Sequence, residues 1–207
     1  MSNVMKPDNP FFSVMSKIGD LVFLNILFIV SCIPIITIGC GLSSLHTAVS
    51  KLSKNRESHI ARDYILAFKE NFKNSTVMWA VLLAAGVVLA YFAAWLSRGD
   101  KPLLYIPYIF ILTAYIFTVL YAFPLQAAFI NTPGNILRNA LLTALRHLPQ
   151  TLLLILIIYL PACITLMLPD IFYITFIYWV LIGFSLPAFI SGFVYRSIFK
   201  LYTKEQS

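Results

Sequence analysis

Charged residues are scarce in this sequence of 207 residues. Only 11% are Lys, Arg, Asp or Glu, whereas soluble proteins carry about 25%. Each of the following stretches contains none of these four residue types: Leu21–Ser50, Asn74–Ser97, Pro102–Leu137, His147–Pro169 and Ile171–Tyr195. Each is at least as long as the ~20 residues that an α-helix needs to cross the hydrocarbon of a bilayer. A soluble domain is therefore excluded, and we expect an all-α integral membrane protein.

Patterns that carry chemistry are also missing. The three cysteines form no CxxC pair, and no histidine stands at ligand spacing from them, which argues against a zinc site or a disulfide framework. The predicted spans given below contain no Lys, Arg, Asp or Glu, although proton relays and ion-coupled transport need such groups at depth. We therefore expect a non-enzymatic protein with no catalytic residues, no metal and no cofactor.

The uncharged stretches predict about five transmembrane helices in a single domain that covers residues 1–207. Their approximate bounds are 21–42, 76–97, 104–126, 150–168 and 171–194. Five spans place the two chain ends on opposite sides, with eleven Lys and Arg residues on one side and four on the other. Because positive loops stay in the cytoplasm, we expect a cytoplasmic C-terminus, cytoplasmic loops at 43–75 and 127–149, and an N-terminus outside.

The two long loops contain amphipathic segments. Ile60, Tyr64, Phe68 and Phe72 recur every four residues with basic residues between them, a pattern typical of an amphipathic helix. Such a surface suits either an anionic membrane leaflet or a protein partner. The residues that we expect to face lipid or a partner are Arg62, Lys69, Asn71, Phe72, Lys73, Arg138 and Arg146.

The second loop resembles the first at a distance of 76 residues. The matching pairs include Ile60/Ile136, Arg62/Arg138, Ile65/Leu141, Leu66/Leu142, Phe72/Leu148 and Ser75/Thr151. Two interpretations remain open. Either the chain holds a parallel internal repeat of span, loop helix and span, or apolar sequence matches itself by chance.

A few residues inside the spans predict helix contacts and kinks. Asn25 is the costliest of them to bury, and we interpret it as an interhelical hydrogen-bonding residue rather than a substrate ligand. Small residues four apart allow helices to approach closely within the bundle, in a homo-oligomer or against a partner subunit. The full set assigned to packing or kinks is Asn25, Pro34, Thr37, Gly39, Gly86, Ala90 and Ala94.

The net charge of +7 does not require a nucleic-acid partner. Retention of positive loops in the cytoplasm produces such an excess without any ligand, and no RNA- or DNA-binding signature accompanies it. Membrane lipid is the partner that the composition itself implies.

Short segments of the sequence carry a family resemblance. They are Asn9-Pro10-Phe11, Leu24-Asn25, Ile33-Pro34-Ile35-Ile36-Thr37-Ile38-Gly39 and Phe68-Lys69-Glu70-Asn71-Phe72. In these segments the chain resembles the YesL family of bacterial membrane proteins. It departs from the family after Thr37-Ile38-Gly39, where Cys40-Gly41 stands in place of an expected small residue such as Ala. The resemblance implies that the gene lies beside genes for carbohydrate ABC importers and polysaccharide-degrading enzymes. The family has no catalytic residues that could be assigned to this chain.

Three functions remain as expectations. The first, which the resemblance implies, is an accessory subunit that binds the permease or ATPase of a carbohydrate ABC importer in the bacterial cell membrane. The second is a small channel or facilitator, and the third is a scaffold that binds anionic lipid. The 127–149 loop lacks the acid and the glycine with which importer permeases couple to their ATPase, so we do not interpret the chain as the permease itself.

Overall fold

Helices make up nearly all of the described chain. The computed structural model describes residues 10–53, 59–99, 102–167 and 172–204. Within these ranges no strand occurs. The helices are α1 (Pro10–Ser31), α2 (Ile38–Leu52), α3 (Ile60–Leu96), α4 (Pro102–Ala128), α5 (Pro133–Arg146), α6 (Leu148–Met167), α7 (Phe172–Leu181) and α8 (Ser185–Lys204), with a 3₁₀ turn (Ile35–Thr37) before α2. The all-α prediction is confirmed.

Most of these helices are long and apolar enough to cross a membrane. Five helices meet that condition by length and composition, and α7 and α8 meet it as a sixth when counted as one span bent by 61°. In α3, α4 and α6, only 11% of the most apolar window is buried inside the protein. The outward-facing surfaces of these helices are so apolar that they need lipid around them. The chain is therefore a multi-pass membrane protein.

The predicted first span, 21–42, is not one helix. α1 ends at Ser31, and α2 begins only at Ile38, after the 3₁₀ turn. Pro34 lies in the break with an extended backbone (φ −76°, ψ 118°). Because proline has no N–H and disfavours a helical residue before it, α1 cannot continue through this position.

The chain reverses direction at the break. A Cβ placed on Gly41 would lie 3.4 Å from the ring of Phe28. Further from the turn, Leu24 of α1 shares one buried cluster with Leu45 and Val49 of α2. The predicted single span is therefore wrong, and its residues belong to a hairpin of two antiparallel helices.

α3 is antiparallel to both of its neighbours. Its contacts with α2 include Ser43–Ser75 and Lys51–Asp63, both at 2.7 Å. Its contacts with α4 include Asn71–Gln126 (3.0 Å), Leu82–Tyr115 (3.0 Å) and the rings of Phe92 and Tyr108 (5.9 Å). It follows that α2 and α4 run in the same direction.

α8 runs in the same direction as α2. The ring of His46 meets that of Tyr195 edge-on at 5.7 Å, and further along both helices Arg196 donates to the carbonyl oxygen of Ser50 at 3.4 Å and to the hydroxyl of Ser53. Because α1 is antiparallel to α2, the beginning of α1 lies at the same end of the bundle as the end of α8. This arrangement differs from the one on which the predicted separation of the chain ends is based, and the sides of the membrane on which the ends lie stay a prediction.

We call this end, which holds Lys51, Arg62 and Arg196, the basic end. Two buried clusters pack along the bundle, one built on α1 and α2 and the other on α4, α5 and α6. α8 joins them, since Ala188 belongs to the first cluster and Tyr195 and Ile198 belong to the second.

The predicted loop helix before the second span is not a separate element. α3 is one helix of 37 residues that contains the amphipathic segment and the predicted span 76–97, except for Ser97, which follows the end of the helix. The predicted span 104–126 lies within α4, and 150–168 lies within α6 except for residue 168, which is outside the described residues. The predicted span 171–194 is divided between α7 and α8, except for residue 171, which is outside the described residues.

The two loop segments that match in sequence also match in burial. Residues 60–80 and 136–156 are equally buried, half-buried or exposed at 17 of 21 paired positions. The hydroxyl of Ser75 meets Ser43 of α2 at 2.7 Å, and its counterpart Thr151 meets Tyr121 of α4 at 3.1 Å. Shared burial, shared hydroxyl contacts and the common direction of α2 and α4 favour a parallel repeat over chance similarity.

One proline distinguishes the two units of the repeat. Pro149 stands where α3 has Lys73, and a proline ring clashes with the carbonyl four residues before it and donates no hydrogen bond. The backbone leaves helical geometry at His147 (φ −121°, ψ 51°). Because of this break, α5 and α6 are two helices where α3 is one.

We expect reporters fused to the two chain ends to lie on the same side of the membrane, because the hairpin adds one crossing to the predicted five. Green fluorescent protein and alkaline phosphatase fusions, which are active on opposite sides of a bacterial membrane, measure this directly. A fusion in the α3–α4 connection, at Arg98, is expected to give the opposite result. Different sides for the two chain ends would contradict the hairpin.

Candidate functional site

Asn25 is a polar residue at the centre of the bundle. Its side chain is fully buried and lies against the break between α7 and α8. The amide nitrogen donates to the carbonyl oxygens of Trp179 and Val180 at 2.9 and 2.8 Å. The amide oxygen accepts from the backbone N–H groups of Phe184 and Ser185 at 2.9 and 3.0 Å. The side chain therefore connects the end of α7 to the start of α8.

This geometry gives Asn25 a structural role. A helix end has carbonyl oxygens without intrahelical partners, and a helix start has N–H groups without them. An asparagine amide carries two N–H donors and an oxygen that accepts two hydrogen bonds. All four positions are occupied by the protein backbone, so Asn25 has none left for a substrate.

The turn between α1 and α2 is held by side chains on both sides. The hydroxyl of Thr37 lies 2.6 Å from the carbonyl oxygen of Ser31 and 2.7 Å from that of Pro34, to which it donates. The indole N–H of Trp79, on α3, donates to the carbonyl oxygen of Ile35 at 2.8 Å. Pro34 and Thr37 therefore shape a reversal of the chain rather than a kink within a span.

Gly39 lies where three helices meet. A Cβ at this buried position would lie 2.5 Å from the Cβ of Trp79, 2.7 Å from the carbonyl oxygen of Ser75 and 2.9 Å from the ring of Phe123. Real side-chain carbons do not approach that closely. Only glycine therefore allows α2 to contact both α3 and α4 here.

Asn71 does not face lipid or a partner as predicted. Its oxygen accepts from the side-chain amide of Gln126 on α4 at 3.0 Å, and its nitrogen donates to the carbonyl oxygen of Ala67 at 3.1 Å. The position lies four residues after buried Ala67 and four before buried Ser75. It therefore falls on the inner stripe of α3, and the side chain connects α3 to α4.

The other six residues predicted to face lipid or a partner are exposed. They are Arg62, Lys69, Phe72 and Lys73 on α3, and Arg138 and Arg146 on α5. Among the described residues, none of the five basic side chains has a hydrogen-bond or ion-pair partner, whereas Lys51 pairs with Asp63 at 2.7 Å. Their charges are therefore available at the surface.

The predicted small-residue face of α3 is used only in part within the chain. The hydroxyl of Tyr115 on α4 lies 2.6 Å from where a Cβ of Gly86 would be. Gly86 therefore serves the contact between α3 and α4. Ala90 and Ala94 are exposed, so this part of the small-residue face belongs to the outer surface of the bundle.

A cavity that the sequence did not predict lies between α2, α4 and α8. Its volume is about 420 Å³, and its walls include His46, Ser50, Arg196 and Lys200. The segment of α2 from Gly39 to Ser50 is rich in small and hydroxyl-bearing residues. This composition could have indicated an unusual helix. The residues on α8 lie about 150 positions later in the sequence and carry no such signal.

The fold defines a class, the multi-pass all-α membrane proteins. Within it, residues 21–91, which are 71 of the 207 residues, match a protein family described as a protein of unknown function, DUF624. No curated protein and no solved structure matches the chain. The matched segment contains Asn25, the turn at Pro34 and Gly39, which are the positions where the hairpin is fixed to the rest of the bundle.

Replacing Asn25 with leucine is expected to lower the stability of the protein by about 2 kcal/mol or more, because buried backbone groups of α7 and α8 lose their partners. Thermal melting in detergent measures the loss. Thr113→Val is the matched control, since the Thr113 hydroxyl is exposed and donates only to Ile109 of its own helix. Equal melting temperatures for the two variants would contradict the role of Asn25.

Gly39→Ala is expected to cost about 1–3 kcal/mol, because α2 must move away from α3 and α4 to make room for the methyl group. Gly19→Ala is its control, since a Cβ at Gly19 meets no atom within 4 Å, and alanine is the better helix former. The same melting assay compares them. A Gly39 variant as stable as the Gly19 variant would show that the three helices do not depend on this contact.

Proposed function

We propose that this protein is a non-enzymatic accessory subunit of a carbohydrate ABC importer in the bacterial cell membrane. The resemblance to the YesL family suggests the type of partner. The structure supplies a surface suited to one: the exposed faces of α3 and α5 at the basic end. We call this surface the basic face and define it by Arg62, Leu66, Lys69, Phe72, Lys73, Arg138, Leu142, Leu145 and Arg146.

The basic face combines charge with apolar area, and this is the observation that carries the proposal. Leu66, Phe72, Leu142 and Leu145 are between 43% and 53% exposed. The same two helices carry five exposed basic side chains without partners among the described residues. Protein interfaces commonly place apolar anchors inside a charged rim, and aligned charges speed the association of partners.

The fold supports a cytoplasmic position for this face. Of the eleven Lys and Arg residues in the part of the chain that the structure describes, ten lie in segments towards the basic end, and one, Arg98, lies just beyond the other end of α3. The hairpin makes this bias stronger than the eleven to four predicted for five spans. By the positive-inside rule we place both chain ends and the basic face in the cytoplasm, where an importer carries its ATPase.

An anionic membrane surface is the second candidate partner for the basic face. Basic and apolar side chains on one helical face also suit the headgroup region of the cytoplasmic leaflet. The two partners differ in their response to detergent, because a protein complex survives gentle extraction from the membrane while a contact with the bulk bilayer surface does not.

Gentle detergent extraction of the tagged protein is expected to recover a permease or ATPase subunit of an importer after crosslinking. The double variant Arg62→Glu, Arg138→Glu is expected to recover about tenfold less of it, because charge reversal at an interface weakens association. Quantitative mass spectrometry of the recovered proteins gives the ratio.

The control for this experiment is Arg98→Glu, which reverses one exposed charge at the other end of α3. It is expected to leave recovery unchanged. Wild-type protein that brings down no importer subunit would overturn the proposed function. An equal loss with Arg98→Glu would show that net charge, and not the basic face, determines the association.

A further inference from the structure

The cavity between α2, α4 and α8 has a polar and an apolar wall. The polar wall carries His46, Thr47, Ser50, Lys51, Arg196 and Lys200. The apolar wall is formed by Pro124, Ala127, Ala128, Phe129, Gly192 and Phe199, and Tyr195 lines it as well. None of the described residues that line the cavity is acidic, so the cavity favours an anion.

Arg196 is fixed in place at the polar wall. One guanidinium nitrogen donates to the hydroxyl of Ser53 and, at 3.4 Å, to the carbonyl oxygen of Ser50. The guanidinium also lies 5.9 Å from the ring centroid of Phe193. Its Nε atom is buried and has no hydrogen-bond partner among the described residues. Arg196 as a whole is half-buried, and an oriented guanidinium of this kind with an unused donor is suited to bind the oxygen atoms of a phosphate or carboxylate group.

Two further polar groups of this wall are not used by the protein. His46 packs its ring edge-on against Tyr195, and neither of its nitrogens has a hydrogen-bond partner in the part of the chain that the structure describes. The hydroxyl of Ser50 also has no hydrogen-bond partner among the described residues. Only the carbonyl oxygen of Ser50 accepts hydrogen bonds, from Ser53 and Arg196. Lys51 adds positive charge, although Asp63 pairs with it. The cavity is therefore lined by more hydrogen-bond donors than the described residues themselves use.

The apolar wall selects between anions. A free inorganic ion would leave the partly exposed rings of Phe129 and Phe199 in contact with water. An amphiphile covers both walls, with its anionic headgroup at Arg196 and its chain along the aromatic rings. Gly192 has no side chain, and this leaves space beside the rings. Basic pockets between membrane helices on the cytoplasmic side bind the headgroups of anionic lipids.

We propose that the cavity between α2, α4 and α8 is a binding site for the phosphate-bearing headgroup of an anionic membrane lipid. Arg196 and Lys200 bind the phosphate, His46 and Ser50 donate to its oxygens, and the acyl chain lies along Phe129 and Phe199. The site is separate from the basic face on α3 and α5, so it does not depend on the importer proposal.

The test uses the full chain in nanodiscs of phosphatidylcholine, with and without phosphatidylglycerol. Native mass spectrometry after release into detergent counts the phosphatidylglycerol molecules that the protein retains. We expect selective retention by the wild type and about fivefold weaker retention by Lys200→Gln, because one basic residue near a headgroup contributes about 1 kcal/mol. Gly192→Leu is expected to abolish it by filling the cavity.

Arg98→Gln is the matched control, since it removes one exposed charge outside both the cavity and the basic face and is expected to retain the lipid. Melting temperatures show whether the variants are folded, and a Cβ at Gly192 meets only Val49, at 3.8 Å. Equal retention of the two lipids, or an equal loss with Arg98→Gln and Lys200→Gln, would overturn the proposal. Displacement of the lipid by inorganic phosphate alone would assign the site to a soluble phosphate and overturn its assignment to lipid.

Discussion

The arrangement of the bundle depends on one amide in a place without water. Membrane-embedded backbone must satisfy its own polar groups, and the bend between α7 and α8 leaves carbonyl oxygens and N–H groups exposed at two helix ends. Asn25 satisfies four of them at once, from a helix more than 150 positions earlier in the sequence. The amide thus permits the bend, and the bend lets α8 return along α2 and α4. Both buried clusters contain residues of α8, so the core itself rests on this contact.

The reversal between α1 and α2 is the second constraint, and it changes the topology. Pro34 ends one helix, Thr37 and Trp79 hold the turn, and Gly39 lets the returning helix contact α3 and α4. Pro34, Thr37 and Gly39 of this segment therefore have structural roles in the turn and in its packing. Because the hairpin brings the start of α1 to the same end as the end of α8, nearly all the Lys and Arg residues that the structure describes lie towards one end. This asymmetry of positive charge, which determines the orientation of a protein in the membrane, is therefore larger than the one predicted for five spans.

Repetition and specialisation are both visible in the two helical units. The same burial pattern runs through α3 and through α5 with α6, and each unit uses one hydroxyl, Ser75 or Thr151, to contact the helix before it. Pro149 breaks the second unit and leaves α5 as a short amphipathic helix whose buried residues pack in the cluster built on α4. The basic face arises from that placement. The cavity at Arg196 arises elsewhere, where α8 closes on α2 and α4, so the two surfaces proposed to bind partners have separate origins in the fold.

The sequence by itself determined the class of the protein, because long uncharged stretches are soluble only in lipid, and helical period alone placed the exposed basic residues of α3 and α5. It also identified Asn25, Gly39 and Gly86 as packing residues, since burial of an amide or absence of a side chain has few other uses in a span. The period did not place Asn71, whose inward position depends on the phase of a helix that continues without a break from loop to span. Only the tertiary structure decided that 21–42 is a hairpin, that α7 and α8 are bent, and that Arg196 and His46 line one cavity. Each of these depends on contacts between residues distant in the chain, and local sequence carries no record of which helix will lie beside which.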